Sequence, residues 1–308
     1  MHEHIARIAY YITVHLLNAS LVCIAALLLT SIGRGSATAK YWIWVATSIN
    51  FVFPLGAILD KSLAAHLSWA RPFGPAGEIG LIVAHDAPVV VTTWLVGALL
   101  MFTLLSIRLR AEHRIIRSGY SPKAIGGSPT LFRGVLIRFA TSSQGPAVDG
   151  ILRPHISLPK AIADLLNDRE LDAVLIHELT HARRRDNLIR LLYQLGLCAL
   201  WFNPLVWIAG SRLALYRELS CDESVIESAR GQDLVSALGK LANPEHAFLL
   251  QASASSFVSH RLAQLSTGRP QPKCLAASAF MALIFAAVLA GGVLGTIAHT
   301  ACCFLARR

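Results

Sequence analysis

Residues 177–181 read His177-Glu178-Leu179-Thr180-His181, and the metal chemistry they spell constrains the path of the whole chain. On a helix, residues four apart lie on one face, so His177 and His181 can aim their imidazoles at one metal ion. Glu178, next to His177, is placed to take a proton from a water attacking a carbonyl. Catalytic zinc takes three protein ligands and keeps one position open, so a third ligand must come from elsewhere. The segment Tyr216-Arg217-Glu218-Leu219-Ser220-Cys221-Asp222-Glu223 offers it. Glu218 and Asp222 also share a helix face, Glu218 as ligand and Asp222 as the carboxylate behind a ligand histidine. Glu223 and Glu227 are the weaker contenders.

This choice bends the chain. Residues 191–211 are 21 uncharged residues long enough to cross a membrane. A straight span there would carry Glu218 about 30 Å from the histidines, whereas zinc ligands converge to about 2 Å from the metal. Asn203-Pro204 interrupts the stretch, and proline breaks a helix. Arginines flank both ends: Arg183, Arg184, Arg185 and Arg190 before it, Arg212 and Arg217 after it. The reading is a helical hairpin that dips into the membrane or lies on its face.

Hydrophobic residues make up 54% of the chain and charged residues 15%, with a mean hydropathy of +0.53, which places it in a membrane. Four stretches are long enough to span: roughly residues 8–33, 41–59, 87–107 and 274–298. Ala37-Thr38-Ala39 resembles a signal-peptidase site, but the preceding apolar run is too long for a signal peptide and is read as a retained span. Arg108, Arg110, Arg114, Arg117 and Lys123 follow the third span, with Glu112 opposing them, and Arg269 and Lys273 precede the fourth. The positive-inside rule puts 108–273 in the cytoplasm. The net charge of +10 fits membrane edges facing anionic headgroups, with no direct nucleic-acid partner. The six cysteines show no paired metal spacing.

The expected domains are an N-terminal membrane region (1–107), a cytoplasmic peptidase domain (108–273, including the hairpin 191–211) and a fourth span with a short tail (274–308). Within the domain, residues 126–159 read as strands and turns, with strands at 135–140 and 155–158. Helix follows from Lys160, and Asn167 or Asp168 caps the helix bearing the motif. His15 and Asn18 inside the first span are read as helix–helix hydrogen-bonding groups. Gly291 and Gly295 would let the fourth span approach another helix closely, in this chain or in a homodimer. His155 is read as an edge-strand residue. Tyr216 and Arg217 lie near enough in sequence to be considered as oxyanion partners.

His177–His181 followed by Arg184-Arg185-Asp186-Asn187, then Trp201-Phe202-Asn203-Pro204-Leu205-Val206-Trp207 and Arg217-Glu218-Leu219-Ser220-Cys221-Asp222, resembles the BlaR/MecR family of membrane zinc peptidases. Gly150-Ile151-Leu152-Arg153-Pro154 and Ile156-Ser157-Leu158-Pro159 match that pattern too. The resemblance covers roughly residues 90–270 by motif and the whole chain by its four-span layout. It implies an α-helical membrane protein carrying an α+β gluzincin-like zinc peptidase domain: four transmembrane helices and the hairpin. It also implies one zinc ion on His177, His181 and Glu218, Glu178 as catalytic base, and Asp186 and Asp222 in support. The implied setting is the bacterial inner membrane with the site on its cytoplasmic side. The implied role is a signal-transducing endopeptidase that cleaves a protein substrate, a winged-helix transcriptional repressor or itself. The β-lactam receptors of this family carry a penicillin-binding sensor after the fourth span. About ten residues follow Ala298 here, so that sensor is expected to be missing. Two other readings stay open: a quality-control membrane protease of the HtpX type, and a signalling scaffold with an inactive metal site.

Overall fold

Asn167 starts the helix that carries the motif, and it does so with a complete capping box. Its side chain accepts from the backbone N–H of Arg169 and Glu170, while the Glu170 carboxylate accepts from the N–H of Asn167. Three backbone donors at the helix start are thereby satisfied. The computed structural model describes residues 2–32, 35–52, 87–118, 130–140, 145–241 and 258–266. Among these residues, three helices come first, α1 (His2–Ile32), α2 (Ala37–Val52) and α3 (Ala87–Ser118). Four strands follow, β1 (Thr130–Phe132), β2 (Val135–Ala140), β3 (Ala147–Asp149) and β4 (His155–Pro159). The remaining helices are α4 (Lys160–Leu165), α5 (Asp168–Arg184), α6 (Asp186–Ala199), α7 (Pro204–Glu227), α8 (Gly231–Leu241) and α9 (Val258–Ser266). The described chain is mostly helical with one small sheet.

The sheet runs β1-β2-β4-β3, with β2 and β4 parallel and the two outer pairs antiparallel. Alternation puts Ile156 and Leu158 on one face of β4, where both are fully or almost fully buried. They join Ile162 of α4, Val174, Ile176 and Leu179 of α5, Val225 of α7, Leu234 of α8 and Leu265 of α9 in one core. The motif helix is therefore held on several sides.

A second core joins the N-terminal helices to α7. Ala19, Val22, Cys23 and Ala26 form a buried helical stripe on α1, and Tyr41 and Trp44 lie buried on α2. They pack with Val206, Ala209, Leu213 and Tyr216 of α7. His15 of α1 lies 3.2 Å from the carbonyl of Phe51 on α2, the helix–helix contact expected of it.

The long apolar stretch is two helices. Arg185, with φ 56° and ψ 46°, turns the chain from α5 into α6. The helix stops after Ala199, and Asn203 caps α7, accepting from the N–H of Leu205 with Pro204 in the first turn. Proline suits that position because its missing N–H would be unpaired there anyway. The Tyr193 hydroxyl donates to the carbonyl of Val206 at 3.0 Å. Gly210 lies so close to that tyrosine that a Cβ would fall 1.9 Å from its hydroxyl. The hairpin's turn packs on α3: Trp94 Nε1 donates to the Ala199 carbonyl at 2.7 Å, and Gly97 lies against the Trp201 ring.

Among the described residues, α3 over Pro88–Glu112 is the one helix long and apolar enough to cross a membrane by itself, and none of its apolar window is buried. The apolar part of α1, His15–Ser31, is shorter. Part of the expected second span (53–59), all of the expected fourth (274–298), Gly291 and Gly295 lie outside the described residues.

Candidate metal centre

Helix α5 sets His177 and His181 one turn apart on its inner face, with their Nε2 atoms 3.3 Å from each other. Helix α7, returning from the hairpin, delivers Glu218. Its Oε2 lies 3.6 Å from His177 Nε2 and 4.0 Å from His181 Nε2. Donor atoms bound tetrahedrally at about 2.0–2.2 Å sit about 3.3–3.6 Å from one another. The donor set, two imidazoles and a carboxylate, is thus of the type and near the spacing that zinc takes.

Behind each imidazole stands a carboxylate. Asp186 Oδ2 is 2.6 Å from His181 Nδ1. Asp222 Oδ1 is 3.0 Å from His177 Nδ1, close enough for ion pairing although the pair lacks hydrogen-bond alignment. With a carboxylate beside each Nδ1, the Nε2 atoms of both rings lie on the side shared with Glu218.

Three arginines hold these acids. Arg261 of α9 clamps the fully buried Asp222 with two bonds of 2.8 Å, and its Nη1 lies 3.8 Å from Glu218. Arg217 donates to Glu218 Oε1 at 3.0 and 3.1 Å. Arg184 donates to Asp186 Oδ2 at 2.7 Å and to the Ser220 hydroxyl. Burial alone would raise the acids, but the guanidinium of Arg217 and the imidazoles hold Glu218 well below the usual carboxylate range. Arg261 does the same for Asp222, and His181 with Arg184 brings Asp186 to about 2. Burial would lower His177, yet the neighbouring carboxylates of Asp222 and Glu218 outweigh it and lift the imidazole to about 9.

A second triad is within reach. His177, His181 and Cys221 each offer a donor atom within 4.8 Å of the others, and Cys221 Sγ lies 3.5 Å from His181 Nδ1. That nitrogen, however, already faces Asp186. Burial also pushes the Cys221 thiol well above its usual range, whereas the metal ligand is the thiolate. Glu218 thus lies on the Nε2 side of both rings, and Cys221 beside Nδ1 of His181.

Glu178 is half-buried and makes no hydrogen bond or ion pair among the described residues. Burial pushes up the carboxyl of Asp149 at the end of β3; His155 and Ser157 draw it back, and the Glu178 charge adds to the rise. His155 pairs with Asp149 across the strands. Asn187 ties the edge strand β3 to α6, donating to the carbonyls of Val148 at 2.7 Å and Gly150 at 3.2 Å. Tyr216 points away, its hydroxyl donating to the carbonyl of Thr30 on α1 at 3.3 Å. Glu223 caps the start of α2. Arg261 and Tyr41 escaped the sequence reading as site residues, and Arg184 entered it only as a flanking charge and within the family pattern: Arg261 lies 39 residues beyond Asp222 in a short helix with no motif around it.

A family model described as BlaR1 peptidase M56 matches residues 10–263. The regulatory protein BlaR1 of Bacillus licheniformis is 40% identical over 85 residues, which is 28% of this chain and 14% of that protein. The methicillin resistance mecR1 protein of Staphylococcus aureus is 28% identical over 93 residues, 30% of this chain and 16% of that protein. The regulatory protein BlaR1 of Staphylococcus aureus is 25% identical over 96 residues, 31% of this chain and 16% of that protein. The matched stretches thus span about one sixth of the length of these curated relatives.

Proposed function

The chain belongs to the BlaR1 peptidase M56 family, and from that membership we propose that it is an integral-membrane zinc endopeptidase with His177, His181 and Glu218 as ligands and Glu178 as catalytic base. The observation that carries this reading is the convergence of two Nε2 atoms and one carboxylate oxygen to 3.3–4.0 Å, with a carboxylate behind each imidazole. Bound zinc would supply Lewis acidity, polarising a water and the scissile carbonyl. Glu178, with no other partner to hold it, takes the water's proton and returns it to the departing amine nitrogen. Asp222 and Asp186 keep the imidazoles aimed, and β3, the edge strand beside α5, gives an extended substrate backbone a place to align.

The membrane setting rests on α3 and the hairpin. Trp201 meets α3 at Gly97, eleven residues before Arg108. At 1.5 Å per residue that is about 16 Å, half of a hydrocarbon core. Leu192, Leu195, Phe202, Trp207 and Ile208 are exposed on the hairpin, as expected of a surface facing lipid. We read the chain as a four-span protein with a membrane-dipping hairpin, organised as membrane region 1–107, peptidase domain 108–273 and fourth span 274–308. Its active site lies on the cytoplasmic face of the bacterial inner membrane. The relatives' names, a regulatory protein and a methicillin resistance protein, favour a signalling role: cleavage of a cytoplasmic repressor, a winged-helix protein, or of the chain itself.

The test combines cleavage with metal analysis. Glu178→Gln should retain one zinc per chain and lose cleavage of a co-expressed repressor by about 10²–10⁴-fold. Glu218→Ala should lose zinc, and Cys221→Ala should keep it. Zinc retained in Glu218→Ala but lost in Cys221→Ala would move the third ligand to the cysteine. A repressor left intact while other proteins are cut would reject the substrate.

A further inference from the structure

The carboxylate behind His181 is held by a residue from outside the peptidase domain. Asp186 Oδ2 takes His181 Nδ1 and Arg184, which leaves Oδ1 to be satisfied. The donor is Tyr41 of α2, whose hydroxyl reaches Asp186 Oδ1 at 2.6 Å across 145 residues of chain. Tyr41 is fully buried, and the Arg184 guanidinium lies over its ring, 4.2 Å from the centroid. The ring thus positions one partner of Asp186 while its hydroxyl holds the carboxylate itself.

One turn earlier, α2 is pinned a second time. Glu223 of α7 accepts from the N–H of Ala37 at 3.3 Å, and from the N–H and hydroxyl of Thr38 at 2.9 and 2.8 Å. A carboxylate at a helix N-terminus satisfies orphan donors and meets the positive end of the dipole. Glu223 follows Asp222, the acid behind His177, along the chain. Ala37 and Tyr41 are four residues apart on one buried stripe of α2, so the cap fixes the helix where the tyrosine meets Asp186.

We propose that Tyr41 is a positioning residue of the metal centre, setting the orientation of the His181 imidazole through Asp186, so that helix α2 forms part of the site's frame. This rests on the reading that His181 is a metal ligand. Without the phenol, Asp186 Oδ1 has no donor among the described residues. The carboxylate can then rotate, and its hold on Nδ1 loosens. Residues that orient a metal ligand in this way change metal affinity or activity by about 10–100-fold.

The experiment uses the full chain in detergent micelles, wild type beside Tyr41→Phe, His181→Ala and Trp42→Phe. Trp42 is the half-exposed neighbour on α2; its ring meets the Tyr41 ring edge-on with centroids 5.2 Å apart, an aromatic contact that phenylalanine can keep, so Trp42→Phe controls for ring packing without removing the Tyr41 hydroxyl. Zinc affinity is measured by competition with a chromophoric chelator, and cobalt is substituted to read ligand geometry from its d–d absorption. Tyr41→Phe keeps the ring under Arg184 and removes only the hydroxyl. We expect its zinc affinity to fall about tenfold or more with shifted cobalt bands, Trp42→Phe to match wild type, and His181→Ala to lose the metal. Metal retained by His181→Ala overturns the ligand assignment. Metal lost there, with Tyr41→Phe within twofold of wild type and an unchanged cobalt spectrum, overturns the role of Tyr41 alone. If Tyr41→Phe does not fold, difluorotyrosine at position 41 gives a stronger donor of the same shape. It should shift the cobalt bands, and unshifted bands reject the proposal.

Discussion

Replacing Arg261 with Met tests the electrostatic design of the metal centre most directly. Arg261 is 4% exposed and Asp222 is fully buried, and their two bonds of 2.8 Å engage both carboxylate oxygens. The substitution keeps most of the side-chain volume and strands Asp222 in the interior with only His177 Nδ1 nearby. Helix α9 should stay docked, since Leu265 remains in the core and Gln264 still donates to the Leu219 carbonyl at 3.0 Å. Removing one partner of a buried ion pair costs about 3–5 kcal/mol, because the other charge is left uncompensated. For a domain of this size that is a fall in Tm on the order of 6–20 °C. The assay is thermal unfolding in detergent with a chelator present, so that metal binding does not enter the comparison. The decisive arm is Arg261→Met combined with Asp222→Asn, which removes the stranded charge. The double variant should be more stable than Arg261→Met alone, with a coupling of about 2 kcal/mol. Singles whose costs simply add to within about 0.5 kcal/mol would falsify the reasoning.

Three further outcomes follow from the same geometry. Bonds from Lys240, Ser236 and Asn167 outweigh the cost of burying Glu170 and bring it from 4.5 to about 2. Its contribution is therefore present above pH 4.5 and lost as pH falls towards 2. Discounted for the partly exposed Lys240, it is about 1–2 kcal/mol, so Glu170→Gln should destabilise at pH 7 and match wild type near pH 2 in a melting series. Gly97→Val should cost about 1–3 kcal/mol by overpacking, because a Cβ there falls 2.2 Å from the Trp201 ring. An unchanged Tm would show that the hairpin does not press on α3. Zinc at a hundredfold above its Kd should stabilise the wild type by about 2.7 kcal/mol. The stabilisation should vanish in His181→Ala, and its persistence in scanning fluorimetry would place the metal elsewhere.

Much of this centre is legible from short-range spacing. The i, i+4 histidines, the Glu218–Asp222 pair and the Asn167 cap lie within a turn of helix, where 3.6-residue geometry dictates who shares a face. The demand that three ligands meet at one metal was enough to exclude a straight helix through 191–211. The observed helix ends after Ala199 and resumes at Pro204. The proline expected to break a helix stands in the first turn of the next one.

What the sequence by itself determined was the local pattern: two histidines and a glutamate on one helix in the spacing of a metal site, apolar stretches of which the one expected at 87–107 is a helix long enough to span, and a break at Asn203-Pro204. Only the tertiary structure decided which charges stand behind the ligands. Arg261, Arg184 and Tyr41 come from three separate helices, 39, 2 and 145 residues from the acids they hold. Such pairings leave no periodic trace, because a buried carboxylate requires a donor of suitable geometry but not one at any fixed distance along the chain. The same holds for the parallel pairing of β2 with β4 and for α2 packing against α7. These long-range contacts place a helix of the N-terminal region beside the metal centre, where composition alone would leave it in the membrane.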